Sequence, residues 1–134
     1  MGSSAVLWGI FAAAVLWGFW DIYYRYFFPG WMRWFPPFMA MLYGAIGLAL
    51  WWLALRLPGN PVLNFCLLGG LEAIPEHLWG IYGLRILERV PMLQGLSPTS
   101  VLVFAIPEYV LYWGVILGVA TLFHGVWRWW ITKR

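Results

Sequence analysis

Charge is what this chain has least of: of 134 residues only 10% are Asp, Glu, Lys or Arg, against 63% that are hydrophobic and 21% that are aromatic. A chain so composed has too little polar surface to cover itself in water, which excludes a soluble monomeric domain and points to an integral membrane protein. Cysteine is nearly absent as well. Cys66 stands alone, so no disulfide can close within the chain and no paired-thiol chemistry is available. There is no phosphate-binding glycine loop, no zinc-finger spacing, no serine nucleophile elbow and no CxxCH for covalent haem. The net charge of +3 comes from basic residues scattered at the ends of apolar runs rather than from a basic stripe, a pattern that suits lipid headgroups and not nucleic acid.

What is present is apolar sequence in lengths that match a bilayer, since ~20 residues of helix cross ~30 Å of hydrocarbon. The first run, about 4–28, is too long for a signal-peptide core and reads as a retained helix that stops at Pro29-Gly30. Further helices are expected over about 38–57, ending at Pro58-Gly59-Asn60-Pro61, over 62–89 with Pro75 inside, and over 99–127 with Pro107 inside. The expected fold is therefore all-α: four transmembrane helices in an up-down-up-down bundle, the third and fourth interrupted by proline, filling a single domain. Multi-pass topology puts both termini on one side. Arg25, Arg33, Arg85 and Arg89 fall toward one face of the membrane and Arg56, Arg128, Lys133 and Arg134 toward the other. Discounting Arg25 and Arg85 as lying inside helix ends favours cytoplasmic termini. Small residues four apart, at Gly9/Ala13, Ala14/Gly18, Ala40/Gly44 and Gly114/Gly118, are read as packing stripes within the bundle.

Against this background 71–80, LEAIPEHLWG, is out of character. It sets Glu72, Glu76, Pro75 and His77 in the middle of a spanning run, where an ionisable side chain costs roughly 2.5–3.5 kcal/mol on insertion scales and so marks a site. Glu72 and Glu76 share one helical face at about 6 Å. Two carboxylates so close in low dielectric do not both stay ionised, and a neutral acid beside a charged base is the arrangement acid–base chemistry needs. Each proline frees a carbonyl one turn earlier, of Leu71 and of Val103, so polar backbone accompanies polar side chains in both places. Aligned by helix rise, Asp21, Glu76, His77 and Glu108 fall at similar depth, with Arg25 as a counter-ion for Asp21; an end-of-helix ion pair in an aromatic belt explains Asp21 and Arg25 equally well.

The phrase Ala73-Ile74-Pro75-Glu76-His77 returns as Ala105-Ile106-Pro107-Glu108-Tyr109. The pieces Pro75-Glu76-His77-Leu78-Trp79 and Pro107-Glu108-Tyr109-Val110-Leu111-Tyr112 resemble the Pro-x-Glu-Glu-aromatic elements of small membrane lycopene cyclases. The resemblance covers less than a tenth of the chain, lacks the doubled carboxylate, and puts its two copies on adjacent helices rather than in separate three-helix units. It implies acid-initiated cyclisation of an isoprenoid.

The leading expectation is an intramembrane acid–base or cation-binding site on a lipophilic substrate entering from the bilayer: Glu72 and Glu76 as the coupled pair, Glu108 as a facing carboxylate, His77 as proton partner, and Asp21, Arg25 and Tyr109 in support. No cofactor is required by it. Glu72, Glu76 and Glu108 also form a candidate hard-metal set, although His77 directly follows Glu76 and departs from the Glu-x-x-His spacing of di-metal bundles. Two alternatives stand beside it: an accessory subunit of a larger membrane complex, holding a haem or another tetrapyrrole through His77 or His124, and a proton-coupled transporter working as a homo-oligomer.

Overall fold

The computed structural model describes residues 35–133. The first apolar run, with Asp21 and Arg25, lies outside the described residues. All regular structure among the described residues is helical: α1 (Phe35–Ala54), α2 (Pro61–Leu78), a π-helical turn (Trp79–Gly83), the short α3 (Ile86–Arg89), a 3-10 turn (Pro91–Leu93) and α4 (Pro98–Thr132).

Turn chemistry sets most of the boundaries. Pro36 and Pro37 fall in the first turn of α1, where a missing N–H leaves nothing unpaired, so the helix begins three residues before the expected 38. It ends at Ala54 rather than 57. Asn60 caps α2, its side chain accepting from the Val62 N–H at 2.8 Å and the Leu63 N–H at 3.3 Å, with Pro61 as first helical residue. Gly59 supplies the positive φ of 98° that the turn requires. The Asn64 amide then donates to the carbonyls of Ala54, Leu57 and Pro58 at 3.4, 3.4 and 3.2 Å, which ties the end of α1 to the start of α2.

The helix expected over 62–89 is not continuous. It passes through Pro75 but widens after Leu78 into the π turn, where the Leu84 N–H is shared by the Trp79 and Gly80 carbonyls, both at 3.2 Å, and Arg85 in the left-handed region (φ 57°) ends it. Gly80 and Gly83 carry the lowest helix propensity after proline, which is why the ladder loosens there. α4 starts on Ser97, whose hydroxyl accepts from the Ser100 N–H at 3.1 Å. It runs through Pro107 to Thr132, beyond the expected 127, because neither glycine nor proline stops it. At 1.5 Å per residue α4 is about 52 Å long.

α2 packs mainly on α4 and secondarily on α1, antiparallel to both. The core between them is Tyr43, Ala54, Phe65, Trp113 and Ile116. Trp113 is fully enclosed: Tyr43 stacks on it at 5.7 Å and 25°, Phe65 meets it edge-on at 5.6 Å, and Gly47 and Gly69 make room for the ring. A Cβ at Gly47 would stand 3.1 Å from Trp113, and one at Gly69 would overlap it outright. Gly70 lets α4 approach too, a Cβ there falling 2.5 Å from Val110 Cγ2.

Among the described residues one helix, α4, is long and apolar enough to cross a membrane; a second apolar stretch, Met41–Ala54, is shorter. Only 22% of the spanning window of α4 is buried within the chain.

Candidate functional site

Tyr43, midway along α1, directs its hydroxyl across to α2 and donates a hydrogen bond to Glu76 Oε2. The same hydroxyl meets the Tyr109 hydroxyl of α4 at 2.7 Å. Since the single Tyr43 proton goes to the carboxylate, Tyr109 is the donor in that second bond. The result is a chain Tyr109→Tyr43→Glu76 that joins the three long helices found among the described residues. Bonds linked in this way polarise and strengthen one another.

The walls are aromatic. Tyr112 lies edge-on to Tyr43 at 5.9 Å and tilted against Tyr109 at 5.8 Å, and Trp113 closes the bottom. His77 approaches from the next position on α2: its ring meets Tyr109 edge-on at 5.2 Å while Nδ1 lies 2.9 Å from the Ala73 carbonyl. A carbonyl can only accept, so Nδ1 carries a proton.

Glu72 sits one turn before Glu76 on the same face. Its Oε2 is buried with no hydrogen-bond partner, and so is Nε1 of Trp113. The two carboxyls are thus differently supported: Glu76 receives a donor, whereas Glu72 has a buried oxygen without one.

The structure brings together Glu72, Glu76, His77 and Tyr109 of the expected set, and adds Tyr43, Tyr112 and Trp113. It does not bring Glu108 to them. Tyr109 faces inward, so the preceding residue points about 100° away, and Glu108 is exposed. No three of His, Cys, Asp or Glu among the described residues are placed to hold a metal ion. His124 lies fifteen residues beyond Tyr109 on α4, about 22 Å along the helix, with its Nδ1 buried and unpartnered. Asp21 and Arg25 are outside the described residues. Arg85, which precedes α3, and Glu88 within α3 form an exposed ion pair at 2.9 Å.

Tyr43 escaped the sequence analysis because tyrosine in an apolar run reads as an interfacial anchor. The available signal was its position: it lies eight residues into α1, too deep for the headgroup level, and a buried tyrosine hydroxyl finds a partner. No known family model, curated protein or solved structure matches the chain.

Proposed function

We propose that this chain is a multi-pass membrane protein whose four apolar runs form an up-down-up-down bundle with both termini on the cytoplasmic side, and that Glu72 and Glu76 form an acid–base pair acting on a lipophilic, isoprenoid- or lipid-like molecule. The membrane part is supported by α4, whose apolar window is mostly uncovered by protein, unlike the core helix of a soluble domain. Leu111, Leu122 and Phe104 are each about 70% exposed at 71%, 70% and 69%, a surface that suits acyl chains and not water. Trp52 under Arg56 and Trp129 under Lys133, at 3.3 and 4.6 Å, place aromatic–basic anchors at neighbouring helix ends.

The observation that carries the chemical reading is the hydrogen-bonded chain from Tyr109 through Tyr43 to Glu76, with Glu72 one turn away. Glu76, accepting from Tyr43, serves as the carboxylate base. Glu72, with an oxygen that lacks a donor, serves as the acid. Glu72 gives a proton to an alkene carbon of the substrate, and Glu76 removes one from a carbon next to the resulting cation. A double bond has shifted or a ring has closed, with no gain or loss of atoms. The proton returns from Glu76 to Glu72 over one helical turn, and the surrounding Tyr and Trp rings shield the cation meanwhile.

The test compares lipid extracts of cells expressing the chain or its Glu76→Gln variant. The proposal expects a lipophilic product of unchanged mass and altered retention with the native chain, reduced by about 100-fold or more with E76Q while helix content is retained. Equal products from both would remove the acid–base role. A visible absorption band lost in His124→Ala would instead favour the pigment-holding accessory subunit, the reading that the unpartnered His124 Nδ1 supports.

A further inference from the structure

In the contact between α2 and α4, Nε1 of Trp113 and Oε2 of Glu72 are both shut off from solvent and both lack a hydrogen-bond partner. One is a donor and the other an acceptor. Buried polar groups in folded proteins are satisfied with few exceptions, so two complementary ones left over in one contact ask for a common explanation.

The packing of the two helices brings them to one place. Trp113 sets the Cδ1 edge of its indole against Gly69, where an added Cβ would overlap Cδ1, the atom bonded to Nε1. Glu72 follows three residues later on α2, at a spacing that puts Cβ positions about 5–6 Å apart. Helical side chains lean toward the N-terminus of their helix, which carries the Glu72 carboxyl back over the level of Gly69. The other sides of the indole are taken up by apolar neighbours: Cζ3 and Cη2 lie against Gly47 of α1, Tyr43 stacks on the ring and Phe65 meets it edge-on. Trp113 is fully enclosed, so bulk solvent does not reach its N–H. The N–H and the carboxyl do not bond each other directly. A donor and an acceptor that share a buried place without bonding are what a bridging water satisfies, and a buried water needs roughly two to four polar partners.

We infer that one water molecule is held between α2 and α4, accepting a hydrogen bond from the Trp113 indole and donating one to Glu72 Oε2, and that Trp113 positions the Glu72 carboxyl through it. The indole N–H can only donate, so it occupies a lone pair of the water and turns the water's hydrogens toward the carboxyl. In a protonated carboxyl the oxygen that accepts is the carbonyl oxygen, which leaves the acid proton on Oε1. Glu72 then presents its proton from one fixed oxygen. The water site rests on the packing of α2 and α4 alone, whereas its part in positioning the proton rests on the acid role proposed for Glu72.

Nuclear magnetic resonance of the full chain in detergent micelles, isotope-labelled at its tryptophan indole nitrogens, tests the water. The Trp113 indole signal is the one lost in Trp113→Phe; if that variant does not fold, it is the one shifted by Glu72→Gln, and no indole signal shifted by Glu72→Gln overturns the inference. The signal should show a nuclear Overhauser cross-peak at the water frequency. The cross-peak should persist in Glu72→Gln, which keeps an oxygen acceptor but has no acid proton to exchange with solvent, and should fall several-fold or more in Glu72→Leu, which offers no acceptor. Absence of the cross-peak in the native chain overturns the inference. Its loss in Glu72→Gln assigns it to the acid proton, and its retention in Glu72→Leu places the water elsewhere; either overturns the inference as well. Positioning has a separate readout, since the Glu72 carboxylic-acid band in the infrared should move to higher frequency in Trp113→Phe as its carbonyl loses a donor, and an unmoved band removes that role. A water cross-peak without any Glu72 acid band sinks the acid–base reading and leaves the water, while the band without the cross-peak does the reverse.

Discussion

Tyr43 is the residue on which the site depends, because its hydroxyl bonds both Glu76 and Tyr109. Tyr43→Phe keeps the ring against Trp113 and removes the hydroxyl that bonds Glu76 and Tyr109. It should cost about 1–3 kcal/mol of stability by leaving Glu76 without its donor, and slow product formation by an amount between the native chain and E76Q, measured by denaturant titration in detergent and by the lipid assay. Trp113→Ala belongs to a different class, emptying a fully enclosed position, and should destabilise by about 3–5 kcal/mol in the same titration. The carboxylates and His77 were legible in the sequence because charge in an apolar run has no ordinary explanation. Tyr43 and Trp113 were not, since a ring with one polar atom looks the same in a belt and in a core. Glu108 is exposed beside the inward-facing Tyr109: counting residues gives a position along a helix, whereas the face depends on which of the two neighbours turns inward.

Among the elements, the α2–α4 contact is governed by Gly69 and Gly70, which no four-residue spacing had singled out. Gly69→Ala would gain about 1 kcal/mol in helix propensity, yet the new methyl overlaps Trp113, and overpacking of about 1–3 kcal/mol outweighs the gain. Gly118→Ala meets nothing in the described bundle and should be neutral or slightly stabilising. Thermal unfolding of the two variants side by side checks the contrast. Helix starts were readable wherever a cap spelled them out, as at Asn60-Pro61 and Ser97-Pro98. The π turn at Trp79–Gly83 was not readable, because WGIYG continues the apolar run and only hydrogen-bond geometry distinguishes a widened turn from an α-turn.

For the whole molecule, composition alone pointed to the membrane, and the length and exposure of α4 agree with it. The number of spans is the part that depends on the first run and on α2, whose carboxylates and histidine lower its apolarity in the same residues that build the site. Both termini are expected on one side, so that labels at each end become accessible together and not separately in intact cells. The central claim, that Glu72 and Glu76 share a proton under the control of Tyr43, is tested most directly by infrared spectroscopy of the protein reconstituted in lipid vesicles. The account predicts a carboxylic-acid carbonyl band that disappears in Glu72→Gln, changes in Glu76→Gln and shifts in Tyr43→Phe. A spectrum with carboxylate bands alone, unaltered by Tyr43→Phe, would contradict it.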